Sequence, residues 1–261
     1  MKASREARAA FERLARTPER DLGLGALLIA AEERPALDPE AWLGRLDDLA
    51  AGLARRAEGR VSAQSRVDAL RGYLYDELGF RGNREDYYDP RNSFLDQVLE
   101  RRLGIPITLA VVVLEIARRI AWPMEGIGAP GHFLIRYVAD PCIVIDPFSG
   151  EVLSDAEPRQ GRAEAASNRE ILARMLRNLK QVYLERKRWE DALACCDRIL
   201  LLEPELAGEL RDRGLLWERL GCAAPARADY ERFLQLAPAD PTSPAIRSRL
   251  RALPAASSRI H

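Results

Sequence analysis

Histidine is nearly absent: among 261 residues, only His132 and the C-terminal His261 carry an imidazole. The four cysteines, Cys142, Cys195, Cys196 and Cys222, form no CxxC pair, so neither they nor the histidines offer a spacing that zinc would use. Adjacent cysteines on a helix point about 100° apart. All four cysteines read as reduced core thiols, and neither a metal nor another cofactor is expected. Net charge is also lacking, since Lys+Arg and Asp+Glu both number 40. No global field would draw the chain to nucleic acid or to an anionic membrane. No apolar run approaches the ~18 residues of a membrane span, and the charged start Met1-Lys-Ala-Ser-Arg-Glu-Ala-Arg8 precedes no signal-peptide core. The expected compartment is the cytoplasm, and balanced charge leaves the oligomeric state open.

What is present is amphipathic helix. A chain of this length can bury two cores, and two domains are expected. Residues 3–16 place Phe11, Leu14 and Ala15 on one face and stop at Pro18. Leu22–Arg34 repeats the pattern through Leu24, Leu27, Leu28 and Ala31, with Gly23 and Gly25 suited to close backbone approach and Glu32 and Glu33 expected at a solvated end. Asp38-Pro39-Glu40 opens a third helix with an acidic N-cap and proline in the first turn, and Trp42, Leu46, Leu49 and Leu53 form its apolar stripe. A fourth is predicted from Ser62 to Leu78.

The pattern breaks at Phe80–Asn92, a polar loop with two adjacent tyrosines. Long irregular loops in compact domains often carry function. Asn83, Tyr87, Arg91 and Asn92 are its candidate substrate-binding residues; the alternative is a packed connection whose Asn and Asp side chains close turns. Asn92 or Ser93 is expected to cap a helix Phe94–Arg102, and Gly104-Ile-Pro106 to start an apolar helix Ile107–Ala121 that is buried on most sides. Thr108 sits in its first turn, in the positive field of the helix N-terminus.

Beyond Trp122-Pro123, Met124–Gly128 reads as a strand and Ala129-Pro-Gly131 as a turn. Two further β-like runs, His132–Tyr137 and Cys142–Asp146, flank the turn formers Val138-Ala-Asp-Pro141. A hairpin symmetric about residue 139 would set His132 directly opposite Asp146, where the carboxylate could orient the imidazole.

Composition then shifts. The sequence divides into residues 1–155, a loose connection at 156–167, and helical repeats at 168–261. Tyr183, Ala192, Ile199 and Pro204 recur 34 residues later as Trp217, Ala226, Phe233 and Pro238. That is the tetratricopeptide period, with a small alanine where paired helices touch and a proline at the exit. Helices near 170–180 and 244–252 are expected to cap the array or let it pack on the first domain.

The runs Gly82-Asn-Arg-Glu-Asp-Tyr-Tyr-Asp-Pro-Arg-Asn-Ser93, Leu99-Glu-Arg-Arg-Leu-Gly-Ile-Pro-Ile-Thr-Leu109, Gly128-Ala-Pro-Gly-His-Phe-Leu-Ile-Arg136 and Asp146-Pro-Phe148 closely resemble the bacterial SirB-type family. The resemblance covers nearly the whole chain. It implies an α+β, mostly helical fold: a transglutaminase- or papain-like core with a small antiparallel sheet, followed by an all-α tetratricopeptide-repeat domain. It also implies a Cys-His-Asp triad in active relatives, with His132 and Asp146 at the histidine and acid positions and Thr108 where cysteine would stand. Cys142 cannot substitute, being four strand residues from Asp146, roughly 13 Å.

Three readings follow. The first is a degenerate, non-catalytic protein that binds a protein or peptide through its cleft and repeats, with no nucleic-acid or membrane partner. The second is acyl transfer or amide hydrolysis by Thr108, His132 and Asp146. A threonine hydroxyl stays protonated and must lose its proton during attack, and its β-methyl restricts the rotamers available. The third is a His132–Asp146 pair that merely steadies the hairpin.

Overall fold

The computed structural model describes residues 2–17, 21–129, 132–153 and 164–254. Most of the connection expected at 156–167 lies outside these, as do Pro130 and Gly131 of the expected turn, and His261. The chain divides into two compact units, Met1–Met175 and Leu176–His261, the division falling inside one long helix.

The first unit opens with helices α1 (Lys2–Arg16), α2 (Leu22–Glu33), α3 (Pro39–Arg56) and α4 (Ala63–Arg71). Their starts are written in the sequence: Asp21, Asp38 and Ser62 each accept a backbone N–H of the first turn, satisfying donors that the helix cannot. α2 is apolar on every side and buried from Leu22 to Ala31 with the exception of Leu24. Its two early glycines work as expected: a Cβ on Gly23 would lie 2.6 Å from the Glu115 carboxylate, and one on Gly25 2.7 Å from Leu172. Glu32 is not at a solvated end; the Arg8 guanidinium donates to both its oxygens, at 2.9 and 2.6 Å, tying α1 to α2. The helix predicted over 62–78 changes character at Gly72, where a π-helical turn, Gly72–Glu77, follows α4.

A parallel pair of short strands, β1 (Arg81–Gly82) and β2 (Leu103–Gly104), brackets the polar loop, a 3-10 turn at Pro90–Ser93 and α5 (Leu95–Arg101). Neither Asn92 nor Ser93 caps α5. Its N-cap position is Phe94, without a side-chain bond, because the Asn92 amide is committed to the loop. α6 (Pro106–Arg119) is the centre of the unit: Ile107 to Ala117 are buried among α2, α3, α5 and the sheet. Its one buried carboxylate, Glu115, is ion-paired with Arg118 and Arg119.

The sheet is antiparallel, in the order β3 (Met124–Ala129), β4 (His132–Tyr137), β5 (Ile143–Ile145). Each outer edge carries one isolated bridge, Ala165 beside Ile127 on β3 and Val152 beside Ile145 on β5.

α7 (Asn168–Glu185) leads into the second unit, which holds α8 (Trp189–Leu202), α9 (Ala207–Arg219), α10 (Ala223–Leu236) and α11 (Ser243–Ala252). α8 and α10 are displaced by 34 residues at both ends, as the repeat predicts. Ala192 and Ala226 are wholly buried, and Leu210, Tyr230, Phe233 and Ile246 form the core of the second repeat.

Candidate functional site

Thr108 is inaccessible to solvent. Its Oγ1 donates to the Asn92 carbonyl at 2.7 Å, accepts the Ile105 N–H at 3.1 Å, and lies 3.1 Å from the Ile105 carbonyl. The hydroxyl is thus the stopper of α6, satisfying an N-terminal donor and fastening the end of the polar loop to the helix. Gly104 makes room, since a Cβ there would come within 2.9 Å of Oγ1.

His132 and Asp146 are not cross-strand partners. The hairpin pairs Ile135 with Ile145, Arg136 with Val144 and Tyr137 with Ile143, so its centre is residue 140. Cys142, read as the first residue of a strand, belongs to the turn, which lengthens the turn by one residue and slides the register by two. His132 instead stands opposite Ala129 on β3. The Asp146 carboxylate accepts the Phe148 N–H at 2.8 Å and the Ser149 hydroxyl at 3.3 Å, closing the turn after β5. The His132 imidazole is exposed and, among the described residues, takes no hydrogen bond; its carbonyl accepts from Arg174 Nη2 at 2.9 Å. No hydrogen bond joins any two of Thr108, His132 and Asp146.

The polar loop is stapled from within. Asn83 Nδ2 donates to Asn92 Oδ1 at 3.1 Å, and Asn92 Nδ2 donates to the carbonyls of Asp86 and Tyr87. Both asparagines are buried. Arg91 pairs with Asp89 at 2.7 Å, and Arg101 reaches the same carboxylate at 3.4 Å. Burial pushes the Asp89 carboxyl up, but the Arg91 hydrogen bonds and then the charges of Arg91 and Arg101 outweigh it and hold the carboxyl below its ordinary value. Of the four loop candidates, Tyr87 and Arg91 are exposed, Tyr87 at 43% beside Tyr88 at 53%.

Tyr87 connects the loop to the hairpin. Its ring centroid lies 5.3 Å from Tyr88, edge-on, and 6.2 Å from Phe148. Desolvation and then Tyr88 raise its phenol pKa, while the Arg174 guanidinium pulls it down. Arg174 in turn lies 5.4 Å over the Phe133 ring. The result is an aromatic and cationic surface beside the His132 imidazole, made by Tyr87, Phe148 and Arg174. Below it, Tyr75 donates to the Pro147 carbonyl at 3.0 Å; burial, then Asp146, push its phenol pKa well up. Phe148, Arg174 and Tyr75 were missed in the sequence. Phe148 stood in a family-like motif but reads as a hydrophobe, Arg174 as a repeat-helix cation, and Tyr75 comes into place only through the π-helical turn. No group of three or more His, Cys, Asp or Glu among the described residues could hold a metal ion.

A small antiparallel sheet packed on a buried helix, with a histidine opening one strand and helical repeats following, defines a transglutaminase-like domain joined to tetratricopeptide repeats. Family models agree: the transglutaminase-like superfamily core matches residues 40–177 and a tetratricopeptide repeat matches 179–251. The chain belongs to the UPF0162/SirB1 family of transglutaminase-like proteins. It is 41% identical over 244 residues to a UPF0162 protein of Xylella fastidiosa, covering 86% of this chain and 87% of the other. A UPF0162 protein of Vibrio cholerae is 32% identical, over 84% and 88% of the two chains. Protein SirB1 of Salmonella typhimurium is 29% identical, over 73% and 77%. Among solved structures, menin, in a crystal structure described as revealing its binding site for the Mixed Lineage Leukemia protein, shares the fold with a TM-score of 0.55. Identity there is 13%, over 97% of this chain and 66% of menin.

Proposed function

We propose that this protein is a non-catalytic interaction module that binds protein or peptide partners through the transglutaminase-like surface and the repeats, without performing acyl transfer. The observation that carries this reading is the state of the Thr108 hydroxyl. It is out of reach of solvent, donates to a backbone carbonyl and accepts a backbone N–H. A nucleophile must instead lie within hydrogen-bond reach of its base and of a bound carbonyl. The Asp146 carboxylate is similarly engaged in a turn. The exposed Tyr87 and Tyr88, with Arg174 beside them, are the residue types that anchor protein interfaces. Menin is described as binding a protein, and the tetratricopeptide array presents the grooved surface such binding uses.

Two measurements test the reading. The intact protein, incubated with glutamine-donor and amine-acceptor peptides and with fluorogenic amides, should give no turnover above buffer, and Thr108→Ser should not change that. A peptide array probed with the same protein should retain a sequence-selective subset. Turnover lost in a folded Thr108→Ala variant, or an array with no retained peptide, would overturn it.

A further inference from the structure

The second unit contains a cavity of about 460 Å³ lined by Leu184, Trp189, Leu215 and Leu216, lying against α7, α8, α9 and α11. Its charges are unevenly engaged. Asp212 is paired with Lys180 at 2.8 Å and with Arg211 at 2.8 Å. Glu218 takes the Tyr230 hydroxyl at 2.5 Å and Arg249 at 3.1 Å. Lys180 is further held by Glu209 at 2.6 Å. The exception is Arg219: its guanidinium stacks 4.0 Å over the Trp189 ring and, among the described residues, has no acidic partner. Both lining carboxylates are thus occupied, and the charge left to a ligand is a cation.

Stacking fixes the plane of the guanidinium while leaving its edge donors free. A planar fork held beside an apolar floor matches a carboxylate that adjoins a large apolar side chain, because the two parallel N–H···O bonds need the fork's geometry and the floor needs hydrocarbon. The cavity spans four helices of a repeat array, a geometry that admits a chain passing through rather than one that must end there.

We propose that this groove binds an internal peptide segment in which a glutamate or aspartate side chain sits on Arg219 and a neighbouring leucine-sized side chain occupies the Leu184–Leu215–Leu216 floor. The inference rests on the interaction-module reading and names its ligand class. Only the repeats' share of that reading is involved.

The test uses the intact protein and fluorescein-labelled, C-terminally amidated peptides, read by anisotropy. One peptide carries two leucines flanked by glutamates; a second replaces each glutamate by glutamine; a third is the glutamine peptide with a free C-terminal carboxylate. The expected result is about tenfold tighter binding of the glutamate peptide than of the amidated glutamine peptide, shrinking with added salt. Arg219→Gln should bring the glutamate peptide down to the level of the glutamine one. Arg219 is exposed in the last turn of α9, so its replacement should leave the fold in place, which an unchanged thermal melt of the variant checks. Equal binding of the glutamate and glutamine peptides, a preference that survives Arg219→Gln, or preference only for the free carboxylate would each overturn the proposal. In those cases the selectivity of the peptide array still stands for the broader reading; an empty array removes both.

Discussion

Thr108 Oγ1 donates to the Asn92 carbonyl across 2.7 Å, joining the start of the most buried helix to the end of the most polar loop. The bond makes a triad-like position structural, and its energetic weight is measurable. Thr108→Val keeps the shape but strips the donor from Asn92 and the acceptor from the Ile105 N–H, both buried. At about 1–3 kcal/mol for each of the two buried groups left without a partner, a loss of about 2–6 kcal/mol is expected in urea denaturation. Thr108→Ser keeps both bonds, loses one methyl and should cost about 1 kcal/mol. Equal losses for the two variants would show that the hydroxyl is not the staple.

The separation of His132 from Asp146 gives a second prediction. His132→Ala removes an exposed imidazole that takes no hydrogen bond among the described residues and should stay within about 0.5 kcal/mol of wild type. Asp146→Ala releases the Phe148 N–H and the Ser149 hydroxyl and should cost about 1–2 kcal/mol. In a double-mutant cycle the two effects should add within about 0.5 kcal/mol. A larger coupling would restore the cross-strand pair as a working unit.

That pair also marks where sequence reading stops. The start of α3 was legible because Asp38 is a local signal acting on its own first turn; Asp21 and Ser62 cap α2 and α4 in the same way, though neither was read as a cap. The 34-residue repeat was legible because it is periodic, and α8 and α10 keep it to the residue. The hairpin strands were legible by type, but their register depended on whether Cys142 counted as strand or turn, and one such residue displaces the centre of symmetry. Glu32 looked like a solvated end because Arg8, its partner, is 24 positions away. The surface formed by Tyr87, Phe148 and Arg174 combines a loop, a turn and a helix, and no local pattern announces that meeting.

Asp96 yields a pH dependence. Its side chain is inaccessible, Oδ2 is 2.7 Å from Arg34 Nε, and Oδ1 has no partner. Burial raises the carboxyl pKa above 3.8, the Arg34 charge only partly opposing it. The folded chain therefore holds this proton more tightly than the unfolded chain does. Its contribution to stability rises as pH falls through the raised pKa and is complete below the ordinary value. Asp96→Asn cannot titrate, so the stability of wild type relative to this variant should increase as pH is lowered from neutrality. A pH-independent difference in urea melts would mean that the carboxyl titrates alike in the folded and unfolded chains, and a difference that shrinks as pH falls would mean that Arg34 keeps the carboxylate charged.

Two glycines in one helix should respond to the same substitution with opposite signs. Gly214 lies in α9 beneath the Tyr230 ring, and a Cβ there would come within 2.6 Å of it. Tyr230 is wholly buried and its hydroxyl is held by Glu218, so the ring has little room to retreat. Gly214→Ala should therefore destabilise by about 1–3 kcal/mol through overpacking. Gly208, near the start of α9, meets nothing within 4 Å and has no positive φ. Alanine there restricts the unfolded chain and favours the helix, so Gly208→Ala should stabilise by about 0.4–1 kcal/mol. Thermal unfolding of the two variants reads both signs at once. If both alanines lower stability, the close approach of Tyr230 to Gly214 is not what distinguishes the two positions.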